Sequence, residues 1–387
     1  MANRIPFRLM MAHYALVNLA WASGGAFVGA YLLRLGFSLP EAILSYAGIM
    51  GLRFFARFAG VEAVRRLGCR NGLALGTALC ALEFPLLLWA DSPWGMAAWI
   101  LLTSVAESIY WPLFHAVTAV VCSDASRGRE LGLRQSVTAL IGVAGPMAGG
   151  LAMAHLGAAA VFGASAAMCL AGIGPILLMR GVSVGAIPTM RQALGLGDRL
   201  SAIVFASDGW LTSGYLTAWG LVLFSTLDAD YESFGWAAAA AALVSAGLSL
   251  ACGKALDRGG RQRYLRLASA ATVGSLLFRA LSSGSPTLSV IANVSGAVMA
   301  ALYTPVVMSV VYARAKSSGR PYGFHLAMEA AWDAGFVAGC LVAAAVAAWS
   351  PIPSLCVLPS LAGIIIVHMA ISGTRLPMAK AVDAVPA

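Results

Sequence analysis

The chain has 387 residues, of which 60% are hydrophobic and only 11% charged, with a mean hydropathy of +0.83. A soluble domain carries about 25% charged residues, so this composition excludes a water-soluble globular protein and makes lipid the solvent. The formal net charge of +9 would suit a nucleic-acid partner, but the placement of the basic residues argues for membrane topology instead.

Apolar stretches of about 20 residues, enough to cross a bilayer, begin near Met10, Glu41, Asn71, Trp94, Glu130, Ala158, Leu200, Ser233, Tyr264, Pro286, Tyr322 and Ile352. Unpaired backbone groups are intolerable in hydrocarbon, so these spans are predicted to be helices. The expected fold is an all-α membrane protein with twelve transmembrane helices in two six-helix pseudo-repeats. On this map about twenty of the 25 Lys and Arg residues fall on one side, as the positive-inside rule requires of cytoplasm. Both termini are therefore expected inside, and no nucleic acid is expected as partner.

In chain order, the N-terminal "MANRIPFRLMMAHYALV" has the basic start of a signal peptide. It runs on into a full-length span without a small-residue cleavage site, so it reads as a retained first helix. The second span places Arg53 and Arg57 on one face, and Glu62 near its end is spaced to pair with Arg65 or Arg66 at i+3 or i+4. Glu83, mid-span in the third helix, reads as a structural partner of Arg53. In the fourth span Glu107, Trp111, Phe114 and Thr118 share a face, with Tyr110 beside them and His115 at its edge. Glu107 lies about 20 Å along the helix at the usual rise, hence near mid-membrane. The fifth span contains "GVAGPMAGG", where Gly145, Pro146, Gly149 and Gly150 put small residues and a kink in an apolar run. Such spacing lets two helix backbones approach closely in a membrane.

The seventh span carries a stripe of Asp208, Thr212, Tyr215 and Trp219, and the eleventh one of His325, Glu329, Trp332, Asp333 and Phe336. Ionisable groups inside a membrane are costly and point to function. Acids beside aromatic faces suit organic cations through charge pairing and cation–π attraction. His115, with an ordinary pKa near 6.5, is a further candidate proton carrier. The seven cysteines are scattered without a CxxC pair, and no metal-ligand spacing or Walker loop appears. "GVSVG" at 181–185 matches a hydrolase pattern but lacks the strand-turn-helix context of a nucleophile at Ser183. No cofactor, no metal and no enzymatic activity are expected.

The chain also repeats itself. "IYWP" at 109–112 returns as "LYTP" at 302–305, "GRELGL" at 128–133 as "GRPYGF" at 319–324, and "RRLGCR" at 65–70 is echoed by "DRGGRQ" at 257–262. These offsets place an N-terminal six-helix bundle over 1–180, a cytoplasmic linker over 181–198 and a C-terminal bundle over 199–387. Two rocking halves with a site between them are the logic of a transporter.

On these features the chain resembles the major facilitator superfamily over essentially its full length. The family's G-x-x-x-D-R-x-G-R loop is matched throughout by "GKALDRGGR" at 253–261, whereas the first copy, "GVEAVRRLGCR", keeps Arg66 and Gly68 but lacks the aspartate. The resemblance implies gating roles for Asp257, Arg258, Gly260 and Arg261. It also implies that Pro112 and Pro305 act as hinges in cavity-lining helices. The G-P-x-x-G-G core at 145–150 resembles that of drug:proton antiporters. No arginine lies between Trp94 and Cys122, where many proton-coupled members carry one, so a carboxylate is expected to carry the coupling. The leading reading is proton-coupled efflux of small amphipathic or cationic molecules by a monomer in a bacterial inner membrane. The alternatives are an uptake symporter for a sugar or organic acid, with Arg53, Arg57 and Arg134 binding its carboxylate, and a non-transporting assembly protein of the same fold.

Overall fold

A computed structural model describes residues 5–121, 127–195, 197–256, 261–318 and 320–373. Among them every regular element is helical and there is no strand. The helices are α1 (Ile5–Ser23), α2 (Val28–Arg34), α3 (Leu39–Leu87), α4 (Pro93–Val121), α5 (Arg127–His155), α6 (Ala158–Leu178), α7 (Met190–Leu194) and α8 (Arg199–Thr212). They continue with α9 (Trp219–Thr226), α10 (Tyr231–Leu256), α11 (Arg261–Ser282), α12 (Pro286–Ser295), α13 (Thr304–Ser317), α14 (Pro321–Trp349) and α15 (Ser360–Ser372). Seven stretches among the described residues are long and apolar enough to cross a membrane. Large apolar side chains such as Phe55, Leu140 and Leu281 face outward, which suits a lipid surface. Trp89, Trp94 and Trp349 are also exposed, at helix ends where amphipathic rings favour the interface.

Helix α3 has 49 residues. At 1.5 Å per residue a straight helix of that length would run about 74 Å, more than twice the ~30 Å of hydrocarbon. It does not run straight. Gly68 adopts φ 77 and ψ 167, a left-handed conformation that favours glycine, inside the loop expected between the second and third spans. The start of α3 is held by a capping box in which Ser38 N donates to Glu41 Oε2 at 2.8 Å. Two further breaks are π-helical: Ser213–Ala218 joins α8 to α9, and Met299–Tyr303 precedes α13.

Small residues set the closest helix approaches. A side chain at Gly209 would meet the backbone of Trp332 and Phe336, and one at Gly335 the backbone of Ala206, so α8 and α14 touch backbone to backbone. Gly145 and Gly149 lie against Ala22 and Ser23 of α1, and Gly150 faces Gly235 of α10 across 3.1 Å from its would-be Cβ. Pro146 lies within α5 between these contacts.

Asp198 caps α8 by accepting from Ser201 N at 3.0 Å and is reached by Arg314 Nη2 of α13 at 2.8 Å. Partial burial alone would raise the Asp198 carboxyl, but the bonds from Arg314 and Ser201 win and hold it at about 2. A carboxyl depressed below its unfolded value stabilises the fold above that value and loses the contribution as pH falls through the folded one. Thermal melts from pH 5 to 2 are therefore expected to show the parent losing its advantage over Asp198→Asn below about pH 4. Parallel curves over that range would contradict the assignment.

Candidate functional site

Arg53 and Arg57 stand one turn apart on α3, and Glu329 and Asp333 one turn apart on α14. The two ladders face each other. Arg57, fully buried, donates from Nε to Asp333 Oδ2 at 3.0 Å, from Nη2 to the same oxygen at 2.7 Å, and from Nη1 to Glu329 Oε2 at 2.6 Å. Arg53 donates from Nε to Asp333 Oδ1 at 3.0 Å, with Nη2 on the same oxygen, and from Nη1 to Glu107 Oε2 of α4 at 2.7 Å. Asp333 thus bridges both guanidiniums, one on each carboxylate oxygen. Two guanidiniums meet three carboxyl groups in one buried cluster. Such a cluster persists only because nearly every polar atom finds a partner.

The cluster extends through Trp332. Its ring lies 5.5 Å from the Arg53 guanidinium carbon, and its Nε1 donates to Asp208 Oδ2 at 3.0 Å. Tyr303 donates to Asp208 Oδ1 at 2.8 Å. On the other flank the rings of His115 and His325 stack at 6.3 Å, both within electrostatic reach of Glu329. Trp111 stacks on His115 at 5.9 Å. Glu107, Trp111, His115, Asp208, Glu329, Trp332 and Asp333 therefore form one continuous neighbourhood.

Three expectations need correcting. Glu83 is not the partner of Arg53, because the arginine face of α3 looks toward α4 and α14, where Arg53 bonds Glu107 and Asp333. Tyr215 and Trp219 do not continue the face of Asp208. The π turn at Ser213–Ala218 breaks the 3.6-residue period, and both rings flank Arg279 of α11 instead, at 4.0 and 5.0 Å. Tyr110 turns away from the cluster toward His13 of α1, whose Nε2 lies 3.2 Å from the phenol oxygen. Tyr303, which sequence reasoning did not single out, donates to Asp208.

Arg279 and His13 were missed by sequence reasoning. Arg279 is buried and donates to the carbonyls of Tyr215 at 2.6 Å and Ala292 at 3.5 Å. His13 is fully buried, with Nδ1 3.0 Å from the Gly172 carbonyl. An arginine far inside the ninth apolar run was the available signal for the first. Near the surface, Glu62 accepts from Arg65 Nη1 at 2.8 Å and from Arg66 Nε at 2.9 Å. Asp257, Arg258 and Gly260 lie outside the described residues, and α11 opens at Arg261. Among the described residues no group of His, Cys, Asp and Glu is arranged to hold a metal ion.

The sequence matches no family model and no curated protein. Its fold is nevertheless shared with solved transporters. A nucleoside transporter, NupG, aligns at TM-score 0.67 with 13% identity, over 96% of this chain and 99% of its own. A POT family transporter in complex with 5-aminolevulinic acid aligns at 0.67 with 11% identity, over 95% of each chain. An auto-inhibited POT family peptide transporter aligns at 0.66 with 13% identity, over 99% of each. At such identities the likeness is one of fold. The chain has an all-α, multi-pass membrane fold of the major-facilitator type. The likeness to drug:proton antiporters in particular rests on residues 145–150 alone.

Proposed function

We propose that this protein is a proton-coupled secondary transporter that exports small amphipathic or cationic organic molecules by alternating access. Two six-helix bundles, 1–180 and 199–387, would rock about the linker 181–198, giving twelve membrane crossings in a monomer of a bacterial inner membrane with both termini cytoplasmic. The observation that carries this reading is the cluster tying Arg53 and Arg57 of one half to Asp333 and Glu329 of the other. Such a tie holds one conformation closed, and the transport cycle would have to loosen it.

Charge supports protons and cations as the agents. The carboxyl groups of Glu83, Glu107, Asp208, Glu329 and Asp333 share the helix interior with the guanidiniums of Arg53, Arg57 and Arg279. A proton on Glu107 or Asp333 cancels the charge that holds Arg53. A cation would compete for the same carboxylates. Mutual exclusion of proton and cation is the minimum chemistry of an antiporter. Close packing of Gly145, Gly149 and Gly150 supports a sealed contact in the closed state, with Asp257, Arg258, Gly260 and Arg261 as the switching loop.

Binding tests the reading directly. Thermal stabilisation of the purified protein by ethidium and by small amines should be stronger at pH 8 than at pH 5.5, and a hundredfold excess over Kd adds about 2.7 kcal/mol. Glu107→Gln with Asp333→Asn should flatten that pH dependence, because amides do not titrate. Stabilisation equal at both pH values in the parent would sink proton competition. The runner-up is uptake of a metabolite bearing a carboxylate, favoured by the paired guanidiniums of Arg53 and Arg57. Stabilisation by carboxylates and not by amines would select it.

A further inference from the structure

Beside the ion cluster, on the side of α1, lies a cavity of about 70 Å³ lined by Trp21, Tyr46, Glu83, Trp99, Thr103 and Glu107 among others. Three of its lining polar atoms have no hydrogen-bond partner among the described residues: Glu83 Oε2, Thr103 Oγ1 and Trp21 Nε1. Glu83 and Thr103 are each only 4% exposed. Thr103 faces Glu83 without completing a hydrogen bond to that oxygen. A buried polar group left unmatched costs free energy that a ligand can return. The cavity therefore brings three unmatched polar atoms to one space.

Its chemistry restricts the occupant. Glu83 offers only an acceptor when ionised, Trp21 only a donor, and Thr103 either. Trp21, Tyr46 and Trp99 are among the lining residues, and aromatic rings beside a cavity favour a cation. Glu107 lines the same cavity, while the positive charge of Arg53 behind it is already matched by Glu107 and Asp333. Cys80 also lies within electrostatic reach of Glu83. An alkali ion supplies no acceptor for the indole N–H, and a quaternary ammonium supplies no N–H for the carboxylate. Drug-sized pockets run to about 300–1,000 Å³, so this one takes only a few non-hydrogen atoms.

We propose that this cavity binds a small primary ammonium ion carrying a neighbouring oxygen, of the amino-alcohol type. Its ammonium group would lie between Glu83 and Thr103, and its oxygen would accept from Trp21 Nε1. This deepens the transport reading by naming a ligand class, and it rests on that reading for its role but not for binding itself.

The probe is ethanolamine, titrated calorimetrically into the purified full-length protein, with methylammonium and tetramethylammonium as comparisons. Ethanolamine should bind saturably and tetramethylammonium should not. Glu83→Gln should weaken ethanolamine at least tenfold. Trp21→Phe, which keeps the wall and removes the donor, should weaken ethanolamine several-fold while leaving methylammonium unchanged. Absence of saturable ethanolamine binding in the parent would overturn the assignment, as would equal binding by a folded Glu83→Gln variant. Should that variant fail to fold, unchanged ethanolamine binding by Trp21→Phe overturns it. Binding that passes these tests, with no ethanolamine transport in proteoliposomes, would keep the pocket and refute its role as a transport site.

Discussion

Replacing Arg57 by methionine is expected to destabilise the folded protein by about 3–5 kcal/mol, the usual cost of removing one member of a buried ion pair. Arg57 is fully buried and serves two carboxylates at once. Without it, Glu329 loses its guanidinium and Asp333 keeps only Arg53. Both would have to take up protons or admit water. The loss should be smaller in Arg57→Met with Glu329→Met, since the second change removes one of the stranded charges. Calorimetric or fluorescence melting of the purified variants measures this. Equal stability of parent and Arg57→Met would mean that the cluster contributes nothing to holding the two sides together.

The second large effect concerns the glycine contact of α5 with α1 and α10. A side chain at Gly150 would come within 2.6 Å of the Tyr231 carbonyl oxygen, and one at Gly149 would strike the Ser23 carbonyl oxygen. Neither backbone atom can rotate aside. Valine at either position forces the helices apart, at an overpacking cost of about 1–3 kcal/mol. That strain falls on whichever conformation keeps the contact, so it shifts the balance between conformations by roughly 5- to 150-fold. Gly149→Val and Gly150→Val should therefore reduce ethidium export by proteoliposomes far more than they reduce folded protein in the membrane. Full transport by Gly145→Val with Gly149→Val would show that the stripe has no gating role.

The sequence exposed the solvent of this protein and the faces that carry its charges, but not how those faces pair. Composition alone required lipid, and the i, i+4 spacing of Arg53 with Arg57 and of Glu329 with Asp333 placed each pair on one helix face. Helical periodicity cannot say which face meets which. The assignment of Arg53 to Glu83 failed for that reason: both sit mid-span on neighbouring helices, yet the arginine turns to Glu107 and Asp333. Tyr215 and Trp219 were misplaced because a π turn rotates everything after Ser213, and no local signal in "SGYLTA" announces one. The unmatched acid and indole around the small cavity were invisible for a simpler reason. Whether a polar atom has a partner is a property of packing in three dimensions, not of residue type.

The central claim is that cation and proton exchange across the membrane through the Arg53–Glu107–Asp333 cluster. Proteoliposomes with an entrapped pH-sensitive dye, given a transmembrane gradient of ethidium, test it most directly when protein-free liposomes set the baseline. Proton movement opposite to the cation is expected in the parent protein, and none above baseline in Glu107→Gln with Asp333→Asn. Cation movement without any proton counterflow in the parent, or undiminished counterflow in the double variant, would contradict it.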